Sequence, residues 1–407
     1  MVTYEEERAL ADKFKDASQF YEARKHYKRA LNLAPADQMQ DIIALIKEMG
    51  SKVKTQPPAD KRAELASGLG FFVYQKHFGD VIGYKHHKKI AKRIIGNSLD
   101  PKGLLGWFKR PKSTMMLLYG PPGTGKTLFA KSLSGEFKLP MKDVNINDVL
   151  GKHVGDSEKN MAQLFIDAKV VQPSVLFFDE LDALGASREK SNDSTSSDVR
   201  NTVNVLLKQT SELHDNKETC VFVIGATNLP WLIDDAIKRS GRLEHSIYLG
   251  PPAFLDRMSL FWYYLELHKE GSHYGKGIDI VWLALATIRF SQADIESVCD
   301  NAFRMVAEKG QKYVTTRDLQ ISVKERIKEG TLDSWYTTAY KTYIKSEQKV
   351  TERTGILGWR KQKKTIEESG KLSEGEKRLY RPLINNIKST RRWWHIMNGV
   401  RWVARGI

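Results

Sequence analysis

Three short apolar runs mark the middle of this chain: 115–119, 175–178 and 221–226. Each is four to six residues long and ends in turn or polar residues. Runs of that length without polar alternation suit strands buried on both faces of a parallel sheet. Helical patterns lie between them, so the spacing predicts a doubly wound α/β domain. Downstream, 254–268, a stretch around 284–286, and 294–308 read as helices again. The polar, low-complexity stretch 190–198 reads as a mobile loop.

Ahead of this domain, apolar residues recur at helical spacing in three blocks. Leu10, Phe14 and Ala17 form the first stripe; Ala23, Tyr27, Ala30 and Leu31 form the second, which Pro35 ends. Met39, Ile42, Ile43, Ile46, Met49 and Val53 form the third. Leu10, Ala11, Phe14, Ala23, Tyr27, Ala30 and Pro35 also fall at tetratricopeptide-repeat spacing, with no second copy. A lone repeat cannot bury its own apolar face, so the third helix is expected to close a three-helix module over 1–55. The module resembles a microtubule-interacting-and-trafficking (MIT) domain, which implies a groove that takes a partner's helix. A plain helical dimerisation or capping domain is the alternative. A linker is expected over 56–76, where Pro57-Pro58 and Gly68-Leu-Gly70 interrupt the pattern.

Composition narrows the class. The chain has 407 residues, 41% of them hydrophobic and 28% charged, which suits two or three globular domains. No apolar run reaches the ~18–20 residues of a membrane-spanning helix. The charged start lacks a secretory signal core, and with only two cysteines, Cys220 and Cys299, a disulfide scaffold is excluded. A cytoplasmic protein is the expectation. The net charge is +16, and residues 331–407 carry 17 Lys+Arg against 7 Asp+Glu, so that fifth alone contributes +10. Within 343–407, Trp393, Ile396, Met397, Val400 and Val403 recur at helical spacing over 389–405, among Arg391, His395, Arg401 and Arg405. A basic amphipathic helix of this kind can lie on an anionic membrane surface, contact nucleic acid, or pack on its own core.

The chemistry is carried by Gly120-Pro121-Pro122-Gly123-Thr124-Gly125-Lys126-Thr127, followed by Leu128. This is the full G-x-x-x-x-G-K-[ST] pattern, placed after a predicted strand and before a predicted helix. Glycines there let backbone N–H groups turn towards a polyphosphate, and the helix N-terminus adds partial positive charge. Lys126 can reach the β- and γ-phosphates, and the Thr127 hydroxyl can hold Mg²⁺. Val175-Leu-Phe-Phe ends in Asp179-Glu180, two carboxylates at the C-terminal end of a strand, where ligands of open α/β sheets sit. Asp179 can hold the Mg²⁺ and Glu180 can polarise the attacking water. The run 221–226 ends in Thr227-Asn228, which places Asn228 beside the same site.

Together with Phe78-Gly-Asp80-Val-Ile82-Gly83 and Ile237-Lys-Arg239-Ser-Gly-Arg242, these motifs resemble an AAA ATPase of the AAA+ superfamily over about 77–330. The stretch 225–239 resembles the clade of ESCRT-III-disassembling ATPases, katanin and spastin. The resemblance implies a large ATPase subdomain over 77–250, a helical lid over 251–342 and a basic extension over 343–407. It implies ATP and Mg²⁺ as cofactors, and a homo-oligomeric ring, hexameric in the family. Asp80, Ile82 and Gly83 would border the adenine, and Asn228 would be sensor 1. Arg239 and Arg242 would act as arginine fingers on the neighbouring subunit's site. Ser291-Gln292-Ala293-Asp294 resembles the lid's S-G-A-D, with Gln292 in place of glycine and Ala293 at the nucleotide. Lys152, His153 and Val154 fall in the loop that grips a threaded polypeptide, His153 standing where the family has an aromatic. The reading is a ring motor that remodels a protein assembly recruited by the N-terminal helices, an ESCRT-III-like polymer first. The alternatives are an unfoldase serving a protease or nucleoprotein machine, and a nucleotide-gated scaffold without turnover.

Overall fold

The computed structural model describes residues 3–16, 59–100, 113–150, 156–186, 194–216, 219–233, 245–267 and 277–329, with isolated positions within 23–45, at 237, and within 335–339 and 381–386. Five strands form one sheet: β1 (Thr114–Tyr119), β2 (Met141–Asn145), β3 (Ser174–Asp179), β4 (Val221–Thr227) and β5 (His245–Tyr248). Their order is β2-β3-β4-β1-β5. Every pairing is parallel. The chain leaves β1 for the far edge, returns through β3 and β4, and then crosses to β5. The ends of β1, β4 and β3 are therefore neighbours at a reversal of strand order, where doubly wound sheets bind ligands.

Alternate residues feed two cores, as pleating requires. Met115, Leu117 and Tyr119 face the same side as Leu176, Phe178, Val221 and Val223. Met116 and Leu118 face the other with Val175, Phe177, Phe222 and Ile224. Both faces are covered by helices, which is why these strands read as unbroken apolar runs. On the second face lie α3 (Lys85–Leu99) and α4 (Lys126–Glu136), through Ala91, Ile95, Phe129 and Leu133. The first face is covered by α6 (Asp156–Val170) and α8 (Ser194–Asp215), through Phe165, Ala168, Val203 and Leu206. Two single-turn helices complete this domain, α5 (Ile146–Val149) and α7 (Ala183–Ala186).

The lid is a separate helical layer: α9 (Phe254–Leu267), α10 (Ile280–Ala286), α11 (Gln292–Glu308) and α12 (Thr316–Glu329). Its own core gathers Leu260, Phe261, Leu283, Ile295, Val298, Ala302 and Leu319. A reciprocal cap starts α11. Ser291 accepts from the Asp294 N–H while the Asp294 carboxylate accepts from the Ser291 N–H. Arg326 of α12 donates to Asp294, at 2.6 and 2.9 Å, and ties α12 to that cap.

At the N-terminus, α1 (Tyr4–Asp16) is followed by fully buried Ala23, Tyr27, Ala30 and Ile42. With Ala11 and Phe14 they belong to the same apolar cluster as α6 and α8. Lys13 donates to Asp167 on α6 at 2.9 Å, so the module is docked on the sheet domain. Two stretches differ from the sequence reading. Within the expected linker, α2 (Ala59–Gly68) is helical, and Ala66 and Phe71 are buried. Phe72 pairs antiparallel with Met141, covering edge strand β2. In the polar 190–198 stretch, α8 already begins at Ser194, since Ser, Thr and Asp favour a helix start. The expected helix over 389–405 lies outside the described residues, as do Lys152, His153, Val154, Arg239 and Arg242.

Candidate active site

The loop 120–125 joins β1 to α4 with three left-handed glycines. At Gly120, φ is 154°, and a Cβ would stand 2.1 Å from the Leu249 carbonyl. At Gly123, φ is 74°, and a Cβ would meet Ser291 Oγ at 2.6 Å. Neither position accepts a side chain, so the turn that aims the loop's N–H groups outward depends on glycine. Thr124 is fully buried and its hydroxyl donates to Pro121 O at 2.9 Å. From outside, the Tyr84 hydroxyl clamps the loop by donating to Thr124 O (3.1 Å) and Gly250 O (2.6 Å).

Lys126 opens α4 and is 7% exposed. Its ammonium donates to Gly120 O at 3.1 Å and Pro121 O at 2.7 Å. Burial pushes its pKa down to about 8, against the opposing pull of the Asp179 and Asp182 carboxylates. One residue on, the Thr127 hydroxyl donates to Asp179 Oδ2 at 2.8 Å. A hydroxyl and a carboxylate at this separation form the paired hard-oxygen set that Mg²⁺ takes when phosphate oxygens and water complete its shell. Among the described residues no cluster of three or more His, Cys, Asp or Glu offers a metal site, so this is not a closed protein cage.

Glu180 follows with φ at 52°, in the left-handed region. Its N–H bonds Asp179 Oδ1 at 3.0 Å. A non-glycine residue held there stores strain of ~1–2 kcal/mol, and the fold holds it because Leu181 N–H bonds Ala226 O at 2.9 Å. The bend turns the chain out of the sheet immediately after Asp179 and leaves Glu180 exposed at the sheet's C-terminal edge. At the end of β4, Thr227 donates to Asp182 at 2.6 Å and accepts from Leu229 N–H at 2.9 Å. Asn228 is held through its carbonyl, which accepts from Trp335 Nε1 at 2.8 Å. The sequence reading gave Asp182, Thr227, Tyr84 and Trp335 no role at this site. Their signal is long-range, since Trp335 and Asn228 are 107 residues apart.

The loop 77–84 packs beside the phosphate loop, through Tyr84 and Thr124. Asp80 accepts from the His77 N–H at 2.7 Å, so this carboxylate closes a turn. Lys88 donates to the carbonyls of Phe78 and Val81 and pins the loop to α3. Ile82 packs against the lid core, Leu128 against the second sheet face, and Gly83 has φ at 80°. The lid reaches the P-loop directly, where Ala293 N–H donates to Gly123 O at 3.1 Å. The structure thus brings together 120–128, Asp179, Glu180 and Asn228 at the ends of adjacent strands. The 77–84 loop and the α11 start lie against each other beside the phosphate loop.

Residues 116–251 match the family described as ATPase family associated with various cellular activities (AAA). This segment is similar to an AAA domain. Curated relatives agree. An ATP-dependent zinc metalloprotease FtsH of Karelsulcia muelleri is 34% identical over 253 residues, 61% of this chain and 39% of that protein. A Cell division cycle protein 48 homolog of Archaeoglobus fulgidus is 38% identical over 52% of this chain and 28% of its own length. A 26S proteasome regulatory subunit 8 homolog of Encephalitozoon cuniculi is 33% identical, covering 54% of this chain and 55% of itself. The chain spans only about two fifths of the FtsH relatives. The match covers the phosphate loop, the Thr127–Asp179 pair and Glu180 together. Chemically, Lys126 and the loop N–H groups can hold phosphates, Thr127 and Asp179 can hold Mg²⁺, and Glu180 can orient and polarise water.

Proposed function

We propose that this chain is a Mg²⁺-dependent ATPase that works as an assembled ring and uses hydrolysis to pull on protein. The observation that carries the ATPase reading is the convergence of buried Lys126, the Thr127–Asp179 contact and the strained Glu180 turn at the ends of β1 and β3. A site that only bound nucleotide has no need of a carboxylate held in a strained turn beside the metal pair. The ring reading rests on Arg239 and Arg242, which would complete the neighbouring subunit's site.

The cargo is a polypeptide in this proposal, gripped by Lys152, His153 and Val154. The relatives bear the names of an ATP-dependent metalloprotease and of a proteasome regulatory subunit. Those names support an unfolding or translocating motor over a scaffold without turnover. Disassembly of an ESCRT-III-like polymer is the narrower form of the proposal, and it rests on the resemblance of 225–239 and of the N-terminal module. In this reading the N-terminal helices recruit the cargo, and the basic 343–407 segment adds a membrane-surface or nucleic-acid contact. The cytoplasm is the compartment it implies.

The test is ATP turnover per subunit against protein concentration, with Arg239→Ala/Arg242→Ala subunits doped into wild type. If fingers act in trans, turnover per subunit rises with concentration, and doped subunits inhibit their wild-type neighbours. Turnover independent of both would place the whole site within one chain and remove the ring from the proposal.

A further inference from the structure

The backbone around Asn228 is held at both of its peptide groups. On one side, the Thr227 carbonyl accepts from the Gly120 N–H at 3.4 Å, which ties the end of β4 to the start of the phosphate loop. On the other, the Leu229 N–H donates to Thr227 Oγ1 at 2.9 Å, and the Asn228 carbonyl accepts from Trp335 Nε1 at 2.8 Å. The peptide joining 228 to 229 is therefore bonded through its N–H and through its carbonyl. The N–H bond is local. The carbonyl bond comes across 107 residues of sequence, from a segment beyond the lid. With both flanking peptide planes fixed, the direction of the Asn228 Cα–Cβ bond is fixed as well.

Trp335 is itself anchored. It is 7% exposed, and Ala339, four residues on, is fully buried. Its indole packs on Trp231 of the short turn Pro230–Leu232, with ring centroids 5.8 Å apart. Tyr336 lies edge-on to it at 5.2 Å, and the Arg289 guanidinium stands 5.5 Å over the Tyr336 ring. Arg289 precedes by two residues the Ser291 cap that starts α11, so the same segment ties the lid to the end of β4. A ring in an apolar cluster needs no donor. Tryptophan adds one, and its N–H is directed at the strand end beside the phosphate loop.

We propose that Trp335 is a positioning residue for hydrolysis: its indole N–H sets the peptide plane after Asn228, and so the direction in which the Asn228 side chain leaves the end of β4. The proposal rests on the ATP-hydrolysing reading of the site, in which that carboxamide bonds the γ-phosphate or the attacking water. A group that acts at the transition state must be held closely in place, so losing the tie lowers the rate and leaves nucleotide binding intact.

The experiment measures kcat and KM for Mg-ATP in the full chain, for wild type, for Trp335→Phe and with 3-benzothienylalanine at 335, each with Asn228 and with Asn228→Ala. The benzothienyl group keeps the shape of the indole and has sulfur in place of the N–H. Phe keeps an aromatic ring without a donor. With Asn228 present, both changes lower kcat by about 5- to 10-fold, the worth of one hydrogen bond, and leave KM within about twofold. With Asn228→Ala, the same changes lower kcat by less than about twofold, because the side chain being positioned is gone. Single-turnover release with enzyme in excess follows these rates where steady-state turnover is too slow. An unchanged kcat in both single variants overturns the proposal. So does a loss of equal size in the Asn228→Ala background, or a rise in KM that matches the fall in kcat; either would make Trp335 a general support for the fold. A wild-type kcat in Asn228→Ala alone also overturns it, since nothing is then left to position. Should Trp335→Phe fail to fold, the benzothienyl variant keeps the packing and carries the comparison. Failure of the ATP-hydrolysing reading looks different, since wild type would then release no phosphate.

Discussion

Raising the pH should switch the site off, and the group that does so is Lys126. Its ammonium is 7% exposed and its pKa is pushed down to about 8 from the usual 10.5. Only the charged form attracts the phosphates. About nine tenths of the free enzyme carries that charge at pH 7, half at pH 8, and about a tenth at pH 9. The second-order constant kcat/KM for Mg-ATP, which reports the free enzyme, should therefore fall about tenfold from pH 7 to pH 9. Stability moves the other way. The folded-state pKa is the depressed one, so between pH 8 and 10.5 the unfolded chain binds more protons than the folded one. This group's contribution to stability then rises with pH across that window. Below pH 8 the buried charge costs the fold about 3.5 kcal/mol, from a 2.5-unit depression at about 1.4 kcal/mol per unit. Lys126→Met removes that cost and also the donors to Gly120 O and Pro121 O, each worth about 1 kcal/mol. The variant should lose turnover yet be about 1.5 kcal/mol more stable at pH 7 by urea unfolding. A flat kcat/KM profile to pH 9.5, or a clearly destabilised Lys126→Met, would refute this account of the site.

Glu180 gives a second separation of stability from activity. Both Glu180→Ala and Glu180→Gly should abolish turnover, but the glycine variant should be about 1 kcal/mol more stable than the alanine, since φ is 52° there. Equal melting curves would show that the turn is not strained. Tyr84→Phe strips the donor from Thr124 O and Gly250 O, and should cost about 1–2 kcal/mol and raise KM for ATP more than it lowers kcat. Asp167→Ala removes the carboxylate shared by Lys13, Gln163 and Lys142. It should free the N-terminal module, seen as faster proteolysis of residues 1–58 with little change in basal turnover; unchanged digestion would show that the docking lies elsewhere.

The parts of the molecule legible in the sequence are those where one local stretch does all the work. β1, β3 and β4 are buried on both faces, so their apolar runs announce themselves. β2 lies on the sheet edge, and Met141-Lys-Asp-Val-Asn buries only Met141 and Val144, too few apolar residues to stand out. β5, at the other edge, has four residues and only two of them buried. The phosphate loop was readable because its backbone needs are met by consecutive residues. Asp179 and Glu180 were readable because a buried run ends in charge. What stayed hidden are contacts between distant segments: Tyr84 with Gly250, Gln292 with Ile82, Trp335 with Asn228. No periodicity or spacing encodes them, since each depends on how the lid and the C-terminal segment return to the sheet. The helix within 59–68 was obscured by the flanking Pro57-Pro58 and Gly68-Leu-Gly70, which read as punctuation although the segment between them is helical.

Phosphate release from ATP by wild type and by Glu180→Gln, with Mg²⁺ and with a chelator, tests the central claim most directly. The account predicts turnover in wild type only with Mg²⁺. Glu180→Gln should bind ATP with affinity close to wild type and release phosphate at least about a hundredfold more slowly, the usual scale of one catalytic base. Release that survives the chelator, or that is unchanged by Glu180→Gln, would contradict the assignment of Thr127, Asp179 and Glu180 as the hydrolytic centre.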